Sequence, residues 1–93
     1  MSTRRNKPAV PAKWHLYILK CRDNTLYTGI TTDLKRRVEQ HNRGTAARYT
    51  RSRVPVKLVY HERCCSRSQA LRKEYAVKQL SRVEKKDYIK ANG

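Results

Sequence analysis

The sequence contains no phenylalanine, and no segment approaches the roughly 20 consecutive apolar residues of a membrane-spanning helix. Nor does any segment carry the long apolar face that an interfacial helix needs. With 38% apolar residues among 93, the chain can bury only a small core. These absences argue against a membrane partner and predict one compact domain whose aliphatic core is supplemented by tyrosines.

Acidic residues are also scarce. Seven Asp and Glu stand against 23 Lys and Arg, which gives a formal net charge of +16. A compact fold with this excess repels itself unless it meets a polyanion. Nucleic acid is therefore the expected partner.

The first 13 residues are basic, contain Pro8 and Pro11, and lack any hydrophobic stretch. This composition predicts a disordered basic tail rather than a secretory signal, followed by a single domain over residues 14–91. The three cysteines include the adjacent pair Cys64 and Cys65, and their spacing matches neither a disulfide framework nor a zinc site. Reduced thiols in a cytoplasmic protein are expected.

Residues 14–30 have the pattern of a β-hairpin, with two segments rich in β-branched and aromatic side chains around the turn-forming residues 22–24. A three-residue loop pairs residues whose numbers sum to 46, which places Tyr17 opposite Gly29. Tyr17 and Tyr27 then project from one face as diagonal neighbours, whereas a two-residue loop would send them to opposite faces. We predict the three-residue register.

A helix is predicted next, capped by Thr31 or Thr32, with Asp33 in its first turn and its end before Gly44. Residues 45–55 are predicted to form a basic loop.

A third strand is predicted over residues 56–62, with three side chains on one side: Val56, Leu58 and Tyr60. Capping boxes that start at Ser66 and Ser81 predict two further helices, ending near Gln79 and Lys90. The predicted fold class is α+β, a three-stranded sheet flanked by three helices in the order ββαβαα.

The inward stripe of the first helix, Leu34 and Val38, also carries Arg37 and His41. An arginine beside the core needs an anion or must extend to water. A planar guanidinium could bind two phosphate oxygens and stabilise the charge that develops at phosphorus. The alternatives are a structural ion pair for Arg37 and a hydrogen-bonded helix end for His41.

Glu74 lies on the inward stripe of the second helix, among apolar neighbours: Ala70, Leu71 and Val77. The other six acids have simpler explanations. Asp23 lies in a turn, Asp33 and Glu84 lie near helix N-termini, and the remaining three are expected to be exposed: Glu39, Glu62 and Asp87. A lone inward carboxylate in a basic chain suits one hard divalent cation, with water and substrate phosphate completing the shell. A buried ion pair of Glu74 with Arg37 or a lysine is the alternative.

The predicted basic loop interleaves cationic side chains with an aromatic ring, a pattern typical of contact with nucleic-acid strands. Together with Arg36, which points to water, its residues are the candidates for nucleic-acid binding: Arg48, Tyr49, Thr50, Arg51 and Arg53. Two phenols, an imidazole, a guanidinium and a carboxylate all face inward elsewhere, and this convergence indicates a catalytic site.

These motifs together resemble the GIY-YIG endonuclease superfamily, in particular its small stand-alone UPF0213 group. The resemblance extends from about residue 14 to residue 89. Its ordered motifs include Leu-Tyr-Ile-Leu at 16–19, Leu-Tyr-Thr-Gly-Ile-Thr at 26–31, Asp-Leu-Lys-Arg-Arg at 33–37 and Ala-Leu-Arg-Lys-Glu at 70–74. Of the name-giving triads only the tyrosines and Gly29 are present, and a late asparagine seen in several members has no counterpart.

The resemblance implies an antiparallel sheet and a role for each candidate. Tyr17 and Tyr27 correspond to the tyrosines of the two triads, Arg37 to the phosphate-binding arginine, His41 to the following His or Tyr, and Glu74 to the metal-binding glutamate. The implied activity is that of a DNA endonuclease that uses one Mg²⁺ or Mn²⁺, with Tyr27 as proton acceptor, either alone or with His41 and Tyr17.

The expected substrate is single-stranded or branched DNA, and RNA is a further partner to consider; the expected protein is a monomer. Two other functions stay open on the sequence. One is a non-catalytic DNA- or RNA-binding module on a nuclease scaffold, and the other is an RNA-binding or ribosome-associated basic protein. Loss of Glu74 or Arg37 would indicate the non-catalytic module, and neither residue is lost.

Overall fold

The central strand β1 (Trp14–Lys20) pairs antiparallel with β2 (Leu26–Thr31) on one side and with β3 (Lys57–Cys64) on the other. The computed structural model describes residues 13–93. The predicted basic tail, except Lys13, lies outside the described residues. Because the strand order is β2-β1-β3, β2 is an edge strand of the sheet.

The hairpin has the predicted three-residue loop. The amide of Cys21 donates to the carbonyl of Thr25 at 2.9 Å, and Asn24 adopts a φ of +68°, which asparagine tolerates well. Tyr17 consequently pairs with Gly29, and the two tyrosines pack in one cluster on the same face. The register prediction is confirmed.

A β-bulge changes the faces of the third strand. Successive residues of β1 pair with Tyr60 and Leu58, so that Val59 is the extra residue. Tyr60 packs on one face of the sheet and Leu58, with Val56, on the other. The prediction that these three side chains share one side is wrong, because a regular alternation assumes that no residue is inserted.

The first helix, α1 (Leu34–Asn42), is capped by Asp33, whose carboxylate accepts a hydrogen bond from the Arg36 amide at 3.1 Å. The prediction of Thr31 or Thr32 as the cap is wrong. The Thr31 hydroxyl instead accepts from the Asp33 amide at 3.1 Å, which holds the capping residue in place.

The segment after α1 begins at Gly44, where φ is +77°, and the predicted end of the helix is confirmed. Within the predicted loop lies a one-turn helix, α2 (Arg48–Arg51). The Asn42 amide nitrogen donates to the Val56 carbonyl at 3.2 Å, and the Asn42 amide oxygen accepts from the Val56 N–H at 2.6 Å. These two hydrogen bonds fix both ends of this segment.

Two helices follow β3: α3 (Arg67–Lys78) and α4 (Arg82–Asn92). Ser66 and Ser81 cap them as predicted, although Gln69 bonds the Cys65 amide rather than closing the first capping box. With α2 as the one addition, the predicted order of strands and helices is confirmed.

The helices divide between the two faces of the sheet. On the face of α1 the buried core consists of Tyr17, Leu19, Cys21 and Val56. On the face of α3 and α4 it consists of Leu16, Ile18, Tyr60, Cys64, Ala70 and Val77. Leu71 is 38% exposed, so its predicted inward position is wrong; it lies one step around α3 from Ala70. Along residues 13–93, no helix is both long enough and apolar enough to cross a bilayer.

Candidate active site at the edge of the sheet

The ring of Tyr17 lies over Gly29 of the edge strand β2. A methyl group at Gly29 would come within 2.5 Å of the Tyr17 hydroxyl oxygen, so a larger residue there would displace the ring. The Tyr17 side chain is only 1% exposed. Glycine at this position therefore allows a buried tyrosine of the central strand to carry its hydroxyl towards the edge of the sheet.

A buried hydrogen-bonded chain starts at this hydroxyl. It lies 2.8 Å from Nε2 of His41, and Nδ1 of His41 lies 2.8 Å from Oγ1 of Thr50. The Thr50 hydroxyl donates its proton to the Ala47 carbonyl at 3.2 Å. Thr50 must then accept from His41, and His41 must accept from Tyr17. We call this arrangement the Tyr17–His41–Thr50 chain.

Burial determines the protonation states of the chain. Burial, helped by the positive charge of Arg37, lowers the pKa of His41 to about 4. Burial also raises the pKa of Tyr17 to about 12, against the influence of Arg37. Burial thus moves the two pKa values apart, which makes transfer of the Tyr17 proton to His41 unfavourable. The chain is therefore suited to orienting side chains rather than to relaying protons.

The buried neutral imidazole predicts that acid destabilises the protein. An unfolded histidine has a pKa near 6.5, whereas that of His41 is about 4. The unfolded state therefore binds more protons between these values, and stability falls as the pH falls through this window. From pH 7 to pH 4.5 we expect a loss of about 2 kcal/mol in the free energy of unfolding, measured by urea denaturation.

The control for this prediction is the variant His41→Gln, which keeps a polar side chain but has no titrating group. Its unfolding free energy should vary less with pH between 7 and 4.5 than that of the wild type. His15→Gln is the matched comparison, because burial also lowers the pKa of the half-buried His15. An unchanged pH profile in His41→Gln would contradict the assignment of the effect to His41.

Tyr27 lies beside the chain without belonging to it. Its ring centroid is 5.1 Å from that of His41, at an interplanar angle of 61°. Both nitrogens of His41 are already bonded, and the half-buried Tyr27 forms no side-chain hydrogen bond with another of the described residues.

Arg37 has hydrogen-bond donors to spare. One terminal nitrogen donates to Gln40 at 3.1 Å, whereas the buried Nε has no partner within the described residues. Nor does Arg37 form an ion pair with any residue in the described part of the chain. Arg37 and Arg36 line a cavity of about 260 Å³ next to Trp14. Arg37 thus lines a cavity that could admit an anion and carries one guanidinium nitrogen without a partner among these residues.

Glu74 belongs to α3, which packs on the face of the sheet opposite Tyr17. Burial is the main cause of the raised pKa of Tyr17, and the negative charge of Glu74 adds to it, so the two groups lie within electrostatic range. The Glu74 side chain is 19% exposed and pairs with Lys78 at 3.2 Å. The alternative of an ion pair with a lysine is thus realised, and the alternative of a pair with Arg37 is not.

The donor set around Glu74 is compatible with one hard cation. Among residues 13–93 no three His, Cys, Asp or Glu side chains form a cluster that could enclose a metal ion. A single carboxylate fits Mg²⁺ or Mn²⁺, which retain several waters and take substrate phosphate as ligands. Lys78 is 47% exposed, so its ion pair with Glu74 contributes about 1 kcal/mol at most and is easily displaced.

The predicted nucleic-acid-binding residues divide into three groups. Arg36, Arg48 and Arg51 are exposed, and their contact with a strand stays a prediction. Thr50 is fully buried and holds His41, so the prediction that it contacts nucleic acid is wrong. The sequence motif did not separate a buried position of the one-turn helix from its exposed neighbours.

Tyr49 and Arg53 are engaged with each other. The Arg53 guanidinium lies 4.1 Å from the Tyr49 ring centroid and donates to Asp23 at 3.0 Å. On the site side, Tyr49 stacks with Tyr27 at 5.9 Å and an interplanar angle of 25°. Both residues therefore hold Tyr27 in place, and their contact with nucleic acid stays a prediction.

A second half-buried carboxylate was not predicted from the sequence. Glu62, predicted to be exposed, has a side chain that is 19% exposed and pairs with Lys73. It also accepts hydrogen bonds from Tyr60 and Tyr88. The prediction was wrong because the bulge that turns Tyr60 towards α4 is invisible in the alternation of residues. This cluster joins β3 to α3 and α4, on the face opposite Tyr17.

Comparison with known proteins identifies the family. The model of the GIY-YIG catalytic domain matches residues 13–87. A UPF0213 protein from Desulfotalea psychrophila is 55% identical over 80 residues, which cover 85% of this chain and 73% of that protein. A UPF0213 protein from Halobacterium salinarum is 54% identical over 71 residues, which cover 76% of this chain and 92% of that protein.

Two solved structures have the same fold. The solution structure of a UPF0213 protein from Bacillus halodurans matches with a TM-score of 0.58 and 43% identity, over 87% of this chain and 86% of that one. A protein from E. faecalis matches with a TM-score of 0.61 and 40% identity, over 85% and 84%. The chain therefore belongs to the GIY-YIG catalytic-domain family of nucleases, in its UPF0213 group.

Proposed function

We propose that this protein is a divalent-metal-dependent endonuclease that hydrolyses phosphodiester bonds in single-stranded or branched DNA, without strict sequence specificity. One observation carries the proposal: two phenols and an imidazole, those of Tyr17, Tyr27 and His41, are in contact beside the edge strand β2. The charges of Arg37 and Glu74 act on this group. Membership of the GIY-YIG family supports nuclease activity in general, and the geometry supports the individual roles.

Arg37 and Glu74 supply the electrostatic part of the mechanism. The unpartnered Nε of Arg37 would donate to a non-bridging oxygen of the scissile phosphate and stabilise the negative charge of the transition state. Glu74 would hold one Mg²⁺ or Mn²⁺, which when bound polarises the phosphate and stabilises the leaving 3′ oxygen.

Tyr27 is the better candidate for the proton acceptor. His41 is fully buried and both of its nitrogens are bonded, so it cannot contact an attacking water. Tyr17 is also buried, and its proton is directed at His41. Tyr27 is half-buried, and the imidazole edge against its ring keeps it oriented. The Tyr17–His41–Thr50 chain would then position Tyr27.

The exposed charges near the site support weak sequence preference. Arg36, Arg48 and Arg51 present guanidinium groups to solvent. Such groups bind phosphates, and phosphate contacts position a strand without reading its bases. Affinity should therefore depend steeply on salt and little on sequence.

The test is incubation of the purified protein with plasmid, single-stranded and branched DNA in Mg²⁺, Mn²⁺ or EDTA. We expect cleavage of the single-stranded and branched substrates with either metal and none in EDTA, leaving 3′-hydroxyl ends. Binding of all three DNAs without cleavage under any condition would favour a non-catalytic binding module and contradict the proposal.

A further inference from the structure

We propose that a groove between α2 and the junction of α3 with α4 binds the phosphate backbone of single-stranded DNA beside the cleaved bond. The inference rests on the proposed function and extends it to residues outside the candidate site. Two adjoining cavities, of about 280 Å³ and 190 Å³, form the groove and share Leu26, Tyr49 and Lys85. We call it the β2 groove.

The β2 groove opens directly from the candidate active site. Tyr27 lines its larger cavity and also contacts His41. Lys78 lines the same cavity and pairs with Glu74 at 3.2 Å. A strand whose scissile phosphate lies between Tyr27 and Glu74 would therefore continue into this groove.

One wall of the groove is cationic. Lys78 comes from the end of α3, and Arg82 and Lys85 come from the first turn of α4. Within the part of the chain that the structure describes, Arg82 and Lys85 form no ion pair. Their charges are therefore available to a polyanion. The opposite wall is formed by Tyr49, whose ring is held between Tyr27 and Arg53.

A buried hydroxyl at the bottom of the β2 groove is a second observation that indicates a bound ligand. Thr28 is 2% exposed and lines the larger cavity, and its Oγ1 has no hydrogen-bond partner among residues 13–93. A buried polar group without a partner destabilises a protein, so such groups are normally satisfied. A phosphate oxygen of a bound strand would accept the Thr28 proton.

The dimensions favour one strand over a duplex. Each cavity is smaller than the roughly 300–1,000 Å³ of a pocket for a whole small molecule. Consecutive cavities of this size suit consecutive units of a sugar-phosphate chain. A positively charged groove that follows the backbone is also a usual feature of single-strand sites.

The test measures binding in EDTA, so that cleavage does not enter, using fluorescence anisotropy of a labelled single-stranded oligonucleotide. In the double variant Arg82→Gln/Lys85→Gln we expect roughly tenfold weaker binding at 0.1 M salt. The slope of log affinity against log salt should also decrease in magnitude by about 1.4, since each phosphate contact on a single strand contributes about 0.7.

The matched control removes the same two residue types from the far edge of the sheet. Lys57 and Arg63 are exposed on β3, and Lys57→Gln/Arg63→Gln lowers the net charge equally. This variant should bind within about twofold of the wild type, with an unchanged salt slope. Equal effects of the two double variants would overturn the inference, because binding would then depend on net charge alone.

Thr28→Val provides a second test that preserves shape. Because the Thr28 hydroxyl has no protein partner, the variant should be at least as stable as the wild type, yet bind the oligonucleotide about fivefold more weakly. Unchanged affinity would contradict the role of Thr28. The outcomes are separable from those of the proposed function. If the variants bind more weakly but the wild type does not cleave DNA, the groove is supported and the proposed nuclease activity is refuted. If the wild type cleaves DNA but the variants bind normally, only the groove is refuted.

Discussion

Replacing Glu74 by glutamine should abolish cleavage while leaving the affinity for DNA in EDTA largely unchanged. The variant keeps the size of the side chain and removes the negative charge that would hold the cation. The cation is expected to contribute several kcal/mol to transition-state stabilisation, so the single-turnover rate should fall on the order of 10³-fold or more. The measurement is single-turnover cleavage of a single-stranded oligonucleotide in Mg²⁺ and Mn²⁺.

Glu62→Gln is the matched control, because the side chains of Glu62 and Glu74 are both 19% exposed and both pair with a lysine. Glu62 serves the polar cluster on the opposite face, so its substitution should lower stability without changing the rate of the folded protein. Circular dichroism at the assay temperature establishes that both variants are folded. A Glu74→Gln variant that cleaves at the wild-type rate would show that Glu74 holds no essential cation.

Replacing Tyr27 by phenylalanine should lower the cleavage rate by about 10² to 10⁴-fold, the usual contribution of a positioned general base. The change removes one oxygen atom and keeps the ring that packs against His41 and Tyr49. Stability and DNA affinity should therefore stay near their wild-type values. The measurement is the cleavage rate across pH 6 to 9, in parallel with thermal unfolding.

Tyr75→Phe is the control for the loss of a phenol, because Tyr75 is 70% exposed on α3. It should cleave at the wild-type rate. If Tyr27→Phe did so as well, Tyr27 would not be the proton acceptor. A large loss in Tyr17→Phe alone would then transfer that role to the buried tyrosine.

Local chemistry was sufficient to predict the parts of the site that lie close together in the chain. The turn residues 22–24 set the loop length, the loop length set the register, and the register placed Tyr17 and Tyr27 on one face. Helical periodicity likewise placed His41 inward, and it is fully buried. Each of these predictions depends on only a few neighbouring residues.

Features that depend on distant partners could not be predicted in this way. The bulge opposite β1 reversed the face of Tyr60 and drew Glu62 into a cluster with Lys73. Thr50 is buried because His41 approaches it from another helix. Adjacent capping residues also compete, and the carboxylate of Asp33 took the position predicted for a threonine.

One cation and one DNA strand are proposed to meet at the edge of β2. The decisive measurement is paramagnetic broadening, in which sub-stoichiometric Mn²⁺ is added to isotope-labelled protein bound to a non-hydrolysable single-stranded oligonucleotide. We expect amide signals to broaden first around Glu74 and Tyr27, and the substitution Glu74→Gln to abolish the effect. Broadening centred on Glu62, or equal broadening in the variant, would contradict it.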